Sequence, residues 1–423
     1  MQSSFKINSV ILYIIFLFLM FVALAIFQKS NNSLPFFYKH HPTYEINGKK
    51  NFDSVSESLI LNRIDFSKLS IEYKYKFNLW RVKQDVRAYD LDNSKNGVVY
   101  NREYKTTPDY LLNGQTYSSQ IGAQSFFFTK LAGLLNEDHG SYYLLKITSI
   151  FLLSLCAAAI LLWININLGK IPSFISFLFF VLSTGVNIFS ESLYWSIWLF
   201  VLPLSIVCLL EIFNIKNIFY IFFFTFPVFL FKFLSGYEFI TTIVFASLTP
   251  YAWDFFINKN PTSLVRAIGV GLSSVTAFLI SLFIYNSFFF QEFNSSGIDY
   301  IFSRSGSWSL KHLGELSISP WTQSAKILIM NFMDINGYGI PLGGFLIITL
   351  MALVFVKNRI RTGDVKFIIF LFIGSISWLI VQPGHILFHP RYATLMFFIP
   401  FGLFIPGFIA SLVFGIKNEK NIV

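Results

Sequence analysis

The sequence predicts an all-α integral membrane protein with about ten transmembrane helices. Three observations lead there. Charged residues make up 13% of the 423-residue chain, against about 25% in a soluble domain. Hydrophobic residues make up 54%, and most of them gather in runs rather than alternating with polar ones. Many of those runs approach the roughly 20 apolar residues that a helix needs to cross a bilayer.

The runs fall at about 9–27, 143–164, 172–189, 195–212, 218–234, 238–257, 266–288, 340–357, 366–382 and 394–415. The first, preceded by Lys6 and containing Val-Ala-Leu-Ala at 22–25, has the look of a signal peptide. Its length favours an uncleaved first span. Short gaps near 190–194 and 235–237 predict tight hairpins. Residues 117–137 read as a juxtamembrane helix, with Ile121, Phe128, Leu131 and Leu135 near one face and Gln120, Gln124 and Lys130 as its polar counterpoint.

Lys and Arg in short loops set orientation. With the N-terminus in the cytoplasm, Lys6, Lys170, Lys216, Lys259, Arg266, Lys357, Arg359, Arg361, Lys366, Lys417 and Lys420 all lie on the cytoplasmic side. The acids on that side are Glu211, Asp254, Asp364 and Glu419. The net charge of +10 is therefore mainly a topology signal and not a nucleic-acid footprint. Both termini come out cytoplasmic. Residues 1–423 form one polytopic membrane domain, with a large periplasmic loop at 28–142 that forms a small mixed cap and a second loop at 289–339.

No Walker A or GxGxxG pattern occurs, and the cytoplasmic loops are too short for a nucleotide-binding domain. Cys156 and Cys208 sit in apolar runs, where a thiol behaves as a small hydrophobe. Chemistry is then expected on the outer face. Ionisable groups gather at the outer ends of spans: Glu191 in SESLYW, Lys232 and Glu238 around FKFLSGYEF, and His385, His389 and Arg391 in QPGHILFHPRYA. Charge at membrane depth is costly and faces protein or a wet cavity. Arg and Lys suit a phosphate, Tyr and Trp a sugar ring or lipid headgroup, and a carboxylate can deprotonate a hydroxyl. Each group also has a plainer reading, since interfacial Lys and Arg snorkel and interfacial aromatics anchor helices. His385 and His389 are four apart, but Pro390 argues against the regular helix that a shared metal would need.

YSSQIGAQSFFF at 117–128, SESLYWSIW at 190–198, KFLSGYEFITT at 232–242 and HPRYATLMFFIP at 389–400 resemble motifs of polytopic GT-C-type glycosyltransferases of bacterial envelopes. That group includes O-antigen glucosyltransferases, aminoarabinose transferases and relatives of O-mannosyltransferases. The architecture, with a first span and then a long outer loop, is similar over nearly the whole chain. The resemblance implies a GT-C-like bundle in a bacterial inner membrane and transfer of a sugar from a polyprenyl-phosphate carrier to an envelope glycan, lipid or protein; no cofactor and no metal is expected. It also implies a carboxylate base, for which Asp90 comes first, beside Asp92 and Asp85, with Glu45, Asp53, Glu191 and Glu238 as further candidates. Arg391, then Lys232, then Arg304 are the expected phosphate contacts. Tyr237, His389, Glu191, Glu238 and Gln120 are expected to contact substrate.

Two other classes fit less well. Polysaccharide polymerases and ligases also use lipid-linked sugars, but place their large outer loop late in the chain. Transporters and lipid-linked-sugar flippases commonly show repeated halves, and no segment here recurs.

Overall fold

The computed structural model describes residues 2–30, 44–46, 49–51, 59–60, 63–64, 80–82, 99–100, 114–135, 141–183, 186, 189–190, 192–301, 303, 322, 342–382 and 397–415. Within them the protein is an α-helical membrane protein. Helix α1 spans Gln2–Ser30. Five short strands follow: β1 Tyr44–Ile46, β2 Lys49–Asn51, β3 Trp80–Val82, β4 Val99–Tyr100 and β5 Gly114–Thr116. Strand β1 lies between β2, antiparallel, and β4, parallel. β3 pairs antiparallel with β5, setting Arg81 opposite Gln115. The described residues of the 28–142 segment contain these strands and helix α2, Ala123–Leu134.

Then come α2 Ala123–Leu134, α3 Ser141–Leu168, α4 Lys170–Leu182, α5 Trp198–Ile212, α6 Ile218–Ser235, α7 Ile240–Phe256, α8 Thr262–Phe293, α9 Leu342–Phe355, α10 Thr362–Val381 and α11 Leu403–Val413. Among the described residues, four helical stretches are long and apolar enough to cross a membrane: Leu144–Leu168, Ile218–Ser235, Thr262–Phe293 and Thr362–Val381. Val10–Ile26, Lys170–Leu182, Trp198–Ile212 and Ile399–Val413 are shorter apolar helices. The outer faces are apolar too. Along α8, Leu264, Ile268, Leu272, Val275, Leu279 and Phe283 are exposed, a stripe suited to lipid.

Helices in lipid gain little from hydrophobic burial, so close van der Waals fit holds them together. The α6–α8 contact shows this. A methyl group on Gly269 would meet Ile218 Cγ1 at 2.9 Å, so only the bare backbone fits there. One helical turn further on, the Thr225 hydroxyl donates to Ser273 Oγ at 2.8 Å. Deeper in the bundle, Trp163 of α3 lies edge-on to Trp253 of α7, and Trp253 lies edge-on to Phe367 of α10 and Phe408 of α11. This aromatic cluster joins four helices that are distant in sequence. Both cysteines are buried, as expected.

Two local expectations need correction. The predicted helix over 117–137 begins only at Ala123. Gly122 is in the left-handed region with φ 76°, and its N–H donates to the Leu234 carbonyl at 3.0 Å, which takes the backbone out of helical geometry. The buried face of α2 is Gln124, Ser125, Phe128 and Ala132, so Gln124 points inward and is not part of a solvent-facing polar side.

Candidate functional site

The cleft lies at one end of the bundle, where α2, α5 and α6 converge. Segment 118–124 is tied down at three points. Besides the Gly122–Leu234 bond, the Tyr285 hydroxyl of α8 donates to the Ser118 carbonyl at 2.7 Å. The Gln124 Nε2 amide donates to the Tyr194 carbonyl at 3.1 Å. The loop before α2 is thereby fixed onto the ends of α5, α6 and α8.

The resulting narrow cleft is lined by Gln120, Gln124, Tyr194, Trp195, Leu199, Phe200, Lys232, Ser235 and Glu238. Its free interior is about that of one water molecule, so a larger ligand requires it to open. Lys232 sits in the last turn of α6 and is 2% exposed. Its ammonium donates to the Gly236 carbonyl at 2.7 Å and lies 4.5 Å from the centre of the Phe200 ring. A buried ammonium is tolerable only with such partners. The cation also sits at the helix C-terminus, where the dipole favours it.

The turn after α6 presents Glu238. Gly236 caps the helix with φ 156°, and a Cβ there would strike both the Glu238 carboxylate and the Gln120 side-chain oxygen. Phe239 adopts φ 61°, a left-handed conformation rare for an aromatic residue. Packing holds it there: Phe239 is buried, with Phe200 at 5.5 Å and Trp378 at 6.0 Å. Among the described residues the half-buried Glu238 carboxylate has no hydrogen-bond donor. Gln124 Oε1 is likewise buried without a partner.

The structure therefore brings Lys232, Glu238 and Gln120 together, three of the residues singled out in the sequence. It adds Gln124, whose spacing four residues after Gln120 was the available signal. Tyr237 faces elsewhere, packing edge-on against Phe278 and Tyr285 of α8. Asp85, Asp90, Asp92, Asp53, Glu191, Arg304, His385, His389 and Arg391 lie outside the described residues. Glu45 lies in β1, opposite Lys50.

No family model, curated protein or solved structure matches this chain. The chemistry of the site therefore rests on its own residues. A carboxylate and an amide oxygen stand ready to accept hydrogen bonds in the cleft, beside the rings of Tyr194 and Trp195. That combination suits hydroxyl donors on a ring with apolar C–H faces.

A second charged cluster occupies the opposite end of the bundle. Arg266 of α8 is ion-paired with Glu211 of α5 and Asp254 of α7. Asp254 also accepts from the side chains of Asn258 and Asn260. These charges read in the sequence as separate loop residues. Nearby, the Arg359 guanidinium donates to the Leu412 carbonyl at 3.0 Å, capping the C-terminus of α11.

Proposed function

We propose that the protein is a membrane glycosyltransferase that moves a sugar from a polyprenyl-phosphate donor to an envelope glycan, lipid or protein on the non-cytoplasmic face. In this reading ten helices cross a bacterial inner membrane, both termini are cytoplasmic, and the cleft end faces outward. One observation carries the reading: Lys232, Glu238, Gln120 and Gln124 meet beside Tyr194 and Trp195 in one cleft at one end of the bundle. The basic connection from α9 to α10, with Lys357, Arg359 and Arg361 and then Lys366 in the second turn of α10, lies at the other end, as the charge rule for cytoplasmic loops requires.

The reaction is a single displacement. The acceptor hydroxyl oxygen attacks the anomeric carbon. The bond from that carbon to the phosphate oxygen breaks, and polyprenyl phosphate leaves with the electron pair. The hydroxyl proton passes to a carboxylate, either Glu238 of the cleft or one of Asp85, Asp90 and Asp92 of the first loop. Arg391 and Arg304 are the cations assigned to the departing phosphate.

The test uses purified protein in lipid nanodiscs with polyprenyl-phosphate hexoses and an envelope-glycan extract. Acceptor-dependent release of polyprenyl phosphate is the expected result. Release from none of the donors overturns the reading.

A further inference from the structure

Among the described residues the cleft holds one cation, Lys232, and the simple reading is that this cation grips the donor's phosphate. The geometry argues otherwise. The ammonium is buried at 2% exposure, and two of its neighbours are already fixed, the Gly236 carbonyl at 2.7 Å and the Phe200 ring at 4.5 Å. Among the described lining residues, the groups that lack a hydrogen-bond partner are acceptors. Glu238 has no donor among the described residues. Gln124 is 2% exposed, and because its Nε2 is committed to the Tyr194 carbonyl, its orphaned Oε1 must be the atom left over. A buried acceptor without a donor carries a desolvation cost that only a donor can relieve.

We infer that this cleft, once widened beyond its single-water interior, recognises an uncharged, hydroxyl-rich ring through its hydroxyl donors, with Glu238 and Gln124 as acceptors and Lys232 as a positioning residue. Lys232 acts through the backbone. By holding the Gly236 carbonyl it fixes a turn in which Gly236 has a φ of 156°, Phe239 is left-handed and Glu238 projects between them. Gly236 contributes by having no side chain, which lets the Glu238 carboxylate and the Gln120 oxygen approach the turn. Tyr194 and Trp195 supply the aromatic wall for the ring's C–H faces. The lipid phosphate is then held outside this cleft. The inference rests on the glycosyl-transfer reading for the identity of the ring and goes beyond it in dividing sugar from phosphate recognition.

The test compares affinities of the full-length protein in nanodiscs for short-chain polyprenyl phosphate and for the same lipid carrying glucose, galactose, mannose or N-acetylglucosamine. The wild type should bind at least one sugar-bearing lipid about tenfold more tightly than the bare phosphate, the scale of one good hydrogen bond to a charged group. Glu238→Gln and Gln124→Leu should remove that difference. Lys232→Met should remove it too, while leaving affinity for bare polyprenyl phosphate within about twofold. Lys232→Arg, which keeps a donor for the Gly236 carbonyl, should restore part of it.

Three results overturn the inference: no sugar-dependent difference in the wild type, a difference that survives Glu238→Gln, or a Lys232→Met protein that loses the bare phosphate as well. If Lys232→Met does not fold, Glu238→Gln decides, since Glu238 is only half-buried. Sugar-dependent affinity without release of polyprenyl phosphate sinks the transfer reading and leaves the division of recognition standing.

Discussion

Arg266 and Glu211 are 55 residues apart in the chain and form an ion pair in which the Arg266 side chain is 5% exposed. Asp254 completes the cluster from a third helix. The arrangement fastens α5, α7 and α8 together at the end of the bundle opposite the cleft. Removing one member of such a buried set leaves uncompensated charge, which costs more than the intact pair contributes. Arg266→Met is expected to lower stability by about 3–5 kcal/mol, and adding Glu211→Gln should recover part of the loss. Denaturant titration of the purified protein, followed by tryptophan fluorescence, measures both.

The turn after α6 yields a prediction that separates stability from activity. Gly236→Ala places a methyl group against Glu238 and Gln120. It should cost about 1–3 kcal/mol in strain and displace the carboxylate. Transfer activity should fall far more than that modest destabilisation explains. Activity that simply tracks folded fraction would contradict the placement of Glu238 in the site.

The α6–α8 seam makes a purely structural prediction. Gly269→Val drives a side chain into Ile218 and Ile221. Overpacking of this kind costs about 1–3 kcal/mol. Thr225→Val removes the hydroxyl that bonds Ser273 and should cost less, about 0.6 kcal/mol, the average for an interhelical hydrogen bond in a membrane. Comparing the two by the same denaturant titration tests whether close fit or hydrogen bonding dominates this contact.

Sidedness is checked by thiol labelling. Cys156 and Cys208 are buried and should stay unlabelled by a membrane-impermeant reagent in intact cells. A cysteine replacing exposed Lys130 should react from outside. One replacing exposed Lys357 should react only after permeabilisation. Equal reactivity of both from the same side would invalidate the assigned orientation.

The sequence made the helices readable because lipid imposes a single rule, a long apolar run, that does not depend on neighbours. It made Lys232 and Glu238 readable because charge near a span end is conspicuous. It did not disclose that Lys232 turns back on its own helix, since that depends on the Gly236 carbonyl and the Phe200 ring arriving in three dimensions. Gln124 was placed on the wrong side of α2 because helical periodicity sorts residues by polarity, and a polar residue with a buried partner defeats that sorting. The Arg266 cluster was missed for a related reason. Asp254 and Arg266 flank one hairpin and pair across it, but nothing local links either to Glu211.

The same cluster bears on how the chain enters its membrane. Translation proceeds from the N-terminus, so Glu211 and Asp254 both leave the ribosome before Arg266 does. Until α8 emerges, Glu211 and Asp254 lack the guanidinium that pairs with both of them, and Lys216 is the basic residue already made beside Glu211. Arrival of α8 supplies that guanidinium and lets α5 and α7 settle against each other. The eighth helix thus serves as the closing step of assembly for the half of the protein that was made before it.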